Sequence, residues 1–139
     1  MSFYEFLLDN MLLLAYRIST FLWRCPMEIK TKFWIENRGE VVLGGGKTAL
    51  LLAIDRLGSI QRAADEFEMS YRHAWGVIKM IEQRAGFKMV ETKLGGKDGG
   101  GARLTPKAKA FVKKADSLFK ELQAMAEKRV GQKFQKRSF

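Results

Sequence analysis

Apolar side chains recur at helical spacing in three consecutive blocks in the middle of the chain. The first block ends at Gly58, a residue suited to the C-terminal cap of a helix, while Ser59 and Ser70 are suited to the N-terminal caps of the next two helices. The pattern therefore predicts three short helices in close succession. Their expected inner faces are Leu50, Ala53, Ile54 and Leu57; Ile60, Ala63, Ala64 and Phe67; and Tyr71, Ala74, Trp75, Ile78 and Ile81.

Short β-prone runs lie on both sides of this helical region. Residues 32–36 and 41–43 flank a turn at 37–40, which predicts a hairpin. Residues 89–92 and 102–104 flank a loop at 95–101 that holds five of the 13 glycines. Thr105 and Pro106 then supply an N-cap and a proline in the first helical position. The order predicts an α+β, mainly α, winged helix-turn-helix with a long C-terminal dimerisation helix and an additional N-terminal apolar helix.

Composition narrows the possible chemistry. The chain has 139 residues, of which 47% are apolar, which suits a single folded domain. Its one cysteine, Cys25, excludes an internal disulfide, and its one histidine, His73, argues against a zinc finger and against most hydrolytic sites, so no catalytic residue, metal or cofactor is predicted. The net charge of +10 instead predicts an anionic partner, either nucleic acid or a membrane surface.

The charge excess lies after residue 26, because residues 1–26 hold two basic and two acidic side chains. This apolar segment is a poor transmembrane helix, since Asp9 and Arg17 bracket an uncharged run too short to span a bilayer, and it lacks the basic start of a secretory signal. Three interpretations remain open. It is an amphipathic helix covering a dimer or core surface, a stretch upstream of a true start at Met27, or a helix on a membrane surface.

The second and third helices carry the candidate DNA-binding residues. Small Ala63 and Ala64 let the two helices pack closely, as a motif inserted into the major groove requires. Arg72 is placed to reach guanine edges, and the helix N-terminus is placed to bind phosphate. A small helical core without a ligand is the alternative. The predicted contacts from these helices are Ser59, Gln61, Arg62, Ser70, Tyr71, Arg72, His73 and Lys79.

The glycine-rich loop is the second candidate contact. Consecutive glycines can bring backbone N–H groups close to phosphates, and basic residues flank the loop on both sides. A surface hairpin without a partner is the alternative. The predicted contacts are Lys93, Lys97, Gly99, Gly100 and Arg103.

These motifs resemble the DNA-binding domain of the ModE family of molybdate-responsive transcription regulators. The resemblance rests on the run Ser70-Tyr71-Arg72-His73-Ala74-Trp75, on the glycine-rich loop through Thr105 and on Phe33-Trp34-Ile35-Glu36. It covers about residues 30–125 and separates the chain from the generic LysR-type helix-turn-helix. One departure is Glu68, which stands in the turn where such motifs usually place glycine. A left-handed Glu68 costs about 1–2 kcal/mol.

The resemblance implies a cytoplasmic homodimer that binds palindromic double-stranded DNA, with the third helix in the major groove and the wing against the backbone. Molybdate-sensing members carry oxyanion-binding domains after this one. Because the sequence ends before such a domain could begin, molybdate is not expected to bind this chain directly.

The long helix after Pro106 has an apolar seam, with residues spaced alternately four and three apart, that predicts a dimer interface. Folding back onto its own domain is the alternative. The predicted domains are an N-terminal segment at 1–26, the winged helix-turn-helix at 27–105, the dimerisation helix at 106–128 and a basic tail at 129–139. The seam comprises Phe111, Ala115, Leu118, Leu122 and Met125.

Two other functions remain as alternatives. Residues 41–50 resemble a phosphate-binding P-loop, but Val41 stands where the motif needs its first glycine, and no acidic residue follows a downstream strand to hold magnesium. A membrane-surface or adaptor module built on the apolar N-terminal segment is the second alternative.

Overall fold

The computed structural model describes residues 28–93 and 101–134. Its strands are β1 (Trp34–Asn37), β2 (Glu40–Gly44), β3 (Val90–Lys93) and β4 (Gly101–Leu104). Its helices are α1 (Gly45–Leu57), α2 (Ile60–Glu66), α3 (Tyr71–Ala85) and α4 (Pro106–Phe134). The predicted order of hairpin, three helices, wing strands and long helix is confirmed.

The chain divides into two compact units. Lys30–Ala124 forms one unit, which contains every strand and the first three helices. The other comprises Met1–Ile29 and Met125–Phe139, and its described part is residues 28–29 and 125–134. The apolar segment predicted at 1–26 lies outside the described residues.

The hairpin β1–β2 turns at two residues with left-handed backbone. Arg38 has φ 52° and Gly39 has φ 79°, and positive φ at both central residues is typical of the tight turn that matches strand twist. The strands are antiparallel, with Asn37 opposite Glu40 and an irregularity between Ile35 and Glu36. Two side chains attach the hairpin to α3: Asn37 donates to the Arg84 carbonyl at 2.8 Å, and Arg84 donates to the Val41 carbonyl at 2.8 Å.

The predicted caps of the three short helices are confirmed. Gly58 ends α1 with φ 67°, and its N–H donates to the Ile54 carbonyl. Ser59 and Ser70 cap α2 and α3, each through a side-chain oxygen that accepts a backbone N–H in the first turn. The core forms where these helices meet β2, the start of the wing and α4. Its largest fully buried side chains are Leu43, Leu50, Leu51, Ile54, Ile78, Ile81, Met89 and Val112.

The predicted inner face of α3 is confirmed except at Tyr71. Ala74, Ile78 and Ile81 are buried as expected, and Trp75 is partly buried and packs against the core. Tyr71 is 46% exposed. Helical periodicity includes Tyr71 because it gives the direction of a side chain but not the depth of the core at that point.

The wing strands β3 and β4 pair antiparallel, with Glu91 opposite Arg103 and Lys93 opposite Gly101. The Ala102 N–H donates to the Gly58 carbonyl at 2.9 Å, so β4 is anchored at the turn between α1 and α2. The tip of the wing, residues 94–100, lies outside the described residues. Thr105 caps α4 as predicted, since its hydroxyl oxygen accepts the Ala108 N–H at 3.1 Å.

Helix α4 packs its first half against the domain through buried Ala108, Val112 and Ala115. It continues to Phe134, beyond the boundary predicted at 128, so the start of the predicted basic tail is helical. Residues 135–139 lie outside the described part. Among the helices within 28–93 and 101–134, none has the length and apolar character needed to cross a membrane.

Candidate nucleic-acid interface

Helices α2 and α3 form a tight helix-turn-helix. Ala63 and Ala64 are completely buried, which places the helix backbones close together as their size predicts. Glu68 in the turn has φ 52°. This is the left-handed conformation for which such motifs usually place glycine here. The next residue, Met69, donates its N–H to the Ala64 carbonyl at 3.0 Å and closes the turn. The motif therefore accepts the strain of a left-handed non-glycine residue at a position that a hydrogen bond fixes.

One exposed stripe runs along α3. Arg72, Gly76, Lys79 and Gln83 are all exposed and are spaced four, three and four residues apart, which places them on one face of the helix. Tyr71 and His73 are exposed beside the start of this stripe. The buried positions Ala74, Ile78 and Ile81 occupy the opposite face. The helix thus presents one polar and basic side away from the core.

Ser59 and Ser70 have a structural role in addition to their predicted DNA contact. The Ser59 oxygen accepts the Arg62 N–H at 3.3 Å, and the Ser70 oxygen accepts the His73 N–H at 3.1 Å. Each hydroxyl still has its own proton to donate, because the cap uses the oxygen only as an acceptor. Both hydroxyls can therefore cap a helix and donate to a phosphate at once.

Some of the side chains predicted to contact DNA already form hydrogen bonds or ion pairs within the protein, and others do not. Gln61 donates to Asp65 at 2.7 Å, Lys79 pairs with Glu82 at 2.9 Å, and Arg103 pairs with Glu91 at 3.5 Å. Within the described ranges Arg62 and Arg72 form no ion pair. These two guanidinium groups are exposed, so they need to break no ion pair before meeting an anion.

Lys79 is the most constrained of the predicted contacts. Its ammonium group lies 4.7 Å from the centre of the Trp75 ring as well as 2.9 Å from the Glu82 carboxylate. Reaching a phosphate would require Lys79 to leave one or both partners. Sequence reasoning places Lys79 on the correct face but does not reveal this competition.

Glu82 is a residue that the sequence analysis missed. Its carboxylate accepts the backbone N–H groups of Met89 at 2.9 Å and Val90 at 3.3 Å, which ties α3 to the start of the wing. Burial raises the pKa of this carboxyl, but the hydrogen bonds from Lys79, Met89 and Val90 and the Lys79 charge outweigh burial and lower it overall. A single glutamate in a helix carries no local signal for this role, because its partners follow only after the chain reverses.

The wing has a described base and an undescribed tip. Lys93 and Arg103 lie on β3 and β4 and are exposed. The predicted contacts Lys97, Gly99 and Gly100 fall within residues 94–100, outside the described part. The hydrogen bond from Ala102 to Gly58 places the base of the wing next to the cap of α2. This bond fixes the base of the wing to the helix-turn-helix.

The five residues of the predicted dimer seam fall into two groups. Ala115 is buried within its own domain, and Phe111 packs edge-on against Phe87 with ring centres 5.7 Å apart. Leu118 is 45% exposed and Met125 is 58% exposed, while Leu122 is half-buried. The domain therefore uses the first part of the seam itself, and the later residues remain as the candidate contact with a second copy.

The P-loop-like segment folds into the end of β2 and the first turn of α1. Lys47 donates to the Val41 carbonyl at 3.2 Å, and α1 begins at Gly45 without an intervening phosphate-binding loop. Among residues 28–93 and 101–134, no cluster of three His, Cys, Asp or Glu side chains is placed to hold a metal ion.

Comparison with known families matches residues 47–109 to the bacterial regulatory helix-turn-helix proteins of the lysR family. The matched region begins in α1 and ends in the first turn of α4, so it contains the helix-turn-helix and the wing.

Three curated relatives each match about half of the chain. The molybdenum-pterin-binding protein MopB of Rhodobacter capsulatus is 40% identical over 70 residues, which is 50% of this chain and 26% of MopB. The molybdenum transport protein ModE of Herbaspirillum seropedicae is 41% identical over 75 residues, covering 54% of this chain and 26% of the relative. The DNA-binding transcriptional dual regulator ModE of Escherichia coli K12 is 36% identical over 72 residues, which is 52% of this chain and 28% of that regulator. The matched region thus spans about a quarter of each of these proteins.

Proposed function

We propose, on the premise that residues 47–109 form a regulatory helix-turn-helix domain of the lysR family and of the ModE kind, that this chain is a sequence-specific DNA-binding transcription regulator. Its partner is a double-stranded palindromic operator in the cytoplasm, bound by a homodimer. The observation that carries this proposal is the exposed stripe on α3, which begins at Arg72 and lies opposite the buried face.

In the proposed complex α3 lies in the major groove. Arg72 is exposed and forms no ion pair within the described ranges, so its fork of donors is available for the O6 and N7 acceptors of guanine. Tyr71 and His73 lie beside it, and Gln83 extends the stripe toward the end of the helix. These residues supply the base contacts.

Phosphate contacts come from the helix caps and the wing. The Ser59 and Ser70 hydroxyls donate to DNA phosphates, and Gln61 and Arg62 of α2 contact the DNA backbone beside them. Lys79, Lys93 and Arg103 add positive charge. Lys97, Gly99 and Gly100 extend this contact at the wing tip. The net charge of +10 adds a sequence-independent attraction to DNA.

Dimerisation pairs two half-sites about one helical turn apart, roughly 34–36 Å. Leu118, Leu122 and Met125 provide the interface on α4. We keep the proposed domain divisions at 26 and 105 and move the end of the dimerisation helix from 128 to Phe134. Binding explains every assigned residue, so we assign the chain no catalytic step.

The test is selection of bound fragments from random duplexes with the intact chain. A palindrome with two equal half-sites supports the proposal, whereas no DNA binding in low salt contradicts it. Arg72→Ala is expected to relax base preference at one position of each half-site and to weaken binding by about 1–3 kcal/mol.

Lys93→Ala tests the phosphate contacts, and Lys114→Ala is its control. Lys93→Ala is expected to weaken all sequences alike and to reduce the slope of log affinity against log salt by about one unit. Lys114 is exposed on α4, and its replacement removes the same charge away from the proposed DNA-binding face. An Arg72→Ala variant with an unchanged base preference would exclude Arg72 as a base contact.

A further inference from the structure

A groove of about 620 Å³ lies within the Lys30–Ala124 unit, on a part of the domain that the DNA-binding proposal does not use. Residues before and within the hairpin, the first residues of α1 and the middle of α4 line it. The volume falls within the range of small-molecule sites, about 300–1,000 Å³. The lining residues are Thr31, Lys32, Phe33, Trp34, Val41, Gly44, Gly45, Gly46, Lys47, Phe119 and Gln123.

One side of the groove is aromatic. Phe33 and Phe119 are stacked, with ring centres 6.4 Å apart and planes 15° apart. Trp34 is 55% exposed although it is a large apolar side chain. Flat aromatic surfaces that remain open to solvent favour an apolar, planar ligand, because burial of both surfaces is favourable and ring stacking adds to it.

The other side of the groove is suited to an anion. The N-cap of α1 is Gly44, which offers no side-chain oxygen to the first-turn N–H groups, and that turn contains no acidic residue. A Cβ placed on Gly45 or Gly46 would meet nothing within 4 Å, so nothing in the described protein crowds the Cβ side of this turn. Unsatisfied N–H groups at the start of a helix favour negative charge.

Lys47 provides a second and independent positive group. Its ammonium donates to the Val41 carbonyl at 3.2 Å, and burial together with the nearby Arg84 charge lowers its pKa. A cation that has lost part of its hydration gains more from a nearby anion than an exposed one does. The lining contains two lysines, Lys32 and Lys47, and no carboxylate among the residues named above.

We propose that this groove binds a small aromatic carboxylate, with the carboxylate at the first turn of α1 beside Lys47 and the ring against Trp34 and Phe119. The proposal commits to a ligand with both features, since the aromatic wall alone does not select for charge and the helix start alone does not select for a ring. It does not depend on the DNA-binding role of α3.

The test is calorimetric titration of the intact chain with 1-naphthoate, 1-naphthalenemethanol and acetate. 1-Naphthoate is expected to bind at least about tenfold more tightly than the alcohol of similar size, because only the acid forms charge-assisted hydrogen bonds. Acetate is expected to show no measurable binding at the same concentrations. Equal binding of the acid and the alcohol, or no binding of 1-naphthoate at millimolar concentration, would overturn the proposal.

Three variants locate the site. Lys47→Met keeps the aliphatic chain and is expected to reduce the preference for the acid, because only the helix start remains to favour the carboxylate. Phe119→Ala is expected to weaken the acid and the alcohol alike. Lys113→Met removes an exposed charge elsewhere on α4 and is expected to change neither. A Lys47→Met chain that retains the full preference for the acid would show that the acid binds elsewhere.

Gly45→Asp keeps the test decisive if Lys47→Met fails to fold. A Cβ at Gly45 meets nothing within 4 Å, and an aspartate in the first turn is favourable in a helix. Its carboxylate is expected to occupy the anion position and to reduce 1-naphthoate binding about tenfold or more without loss of folding. Unchanged 1-naphthoate binding by a folded Gly45→Asp chain would contradict the proposal.

Discussion

The Glu82 carboxylate on α3 accepts the backbone N–H of Met89, at 2.9 Å, immediately before the first wing strand. The same oxygen accepts the Val90 N–H at 3.3 Å, and the second carboxylate oxygen pairs with Lys79. One side chain therefore connects the proposed recognition helix to the wing. The orientation of these two elements depends on a charged hydrogen-bond acceptor that is largely buried.

Glu82→Gln is expected to destabilise the chain at pH 7 by about 1–2 kcal/mol, because the charged acceptor is lost. The pKa of Glu82 is lowered in the folded state, so its contribution is present above the unfolded pKa of about 4.3 and is lost as pH falls through the folded pKa. Urea unfolding at pH 7 and at pH 3 measures the difference, which is expected to be smaller at pH 3.

Glu121→Gln serves as the control for Glu82→Gln. Glu121 is exposed on α4, and a glutamine there can still accept the 2.9 Å hydrogen bond from Ser117. Its replacement is expected to leave stability within about 0.5 kcal/mol of the original. A Glu82→Gln effect of equal size at both pH values would show that shape, and not charge, accounts for the role of Glu82.

Gly76→Ala is expected to change folding stability and DNA binding in opposite directions. Gly76 lies in the interior of α3 on the exposed stripe, and a Cβ there would meet nothing within 4 Å in the protein. Alanine should therefore raise stability by about 0.5–1 kcal/mol. If the bare backbone allows DNA to approach closely, the same methyl group should weaken DNA affinity.

Thermal unfolding and fluorescence anisotropy with one labelled duplex measure the two effects of Gly76→Ala. Gly46→Ala is the matched control, because Gly46 is also helical, exposed and free of neighbours but lies in the first turn of α1. A Gly76→Ala chain that is more stable and binds DNA as tightly as the original would mean that the duplex does not approach at this point.

The sequence predicts the elements of this domain well because their signals are local. Gly58, Ser59, Ser70 and Thr105 each mark a helix end through bonds to residues a few positions away. The helix-turn-helix motif is predicted from the same short stretches of sequence.

Other features depend on distant parts of the chain and have no local signal. Glu82 meets Met89 only after α3 has ended, and Asp55 accepts the Leu104 N–H at 3.3 Å and pairs with Lys109 at 2.8 Å from across the fold. Packing depends on the assembled fold in the same way. Tyr71 was expected in the core and is 46% exposed, and Ala115 was expected in a dimer contact and is buried. Periodicity gives the face of the helix on which a side chain lies. Only the assembled core determines how far that side chain is buried and whether its own domain already covers it.

Trp75→Ala is expected to cost less stability than its size suggests. A fully buried Trp replaced by Ala loses about 3–5 kcal/mol, and Trp75 is only partly buried, so we expect a loss at the low end of that range, about 3 kcal/mol. Ile78→Ala, at a position with no exposure, is expected to cost at least as much. Urea unfolding of the two variants checks the order, and a much larger loss for Trp75→Ala would place its ring at the centre of the core.

Leu118→Glu is expected to separate the proposed dimer without unfolding the domain. Leu118 is 45% exposed on α4, so a charge there costs little in a single copy but is unfavourable in an apolar contact between two copies. Sedimentation equilibrium should show a shift toward monomer, and affinity for a palindromic duplex should fall more than affinity for one half-site. Lys113 is exposed on the opposite face of the same helix, so Lys113→Glu should leave the association unchanged. A Leu118→Glu chain that remains dimeric would mean that α4 does not pair through this face.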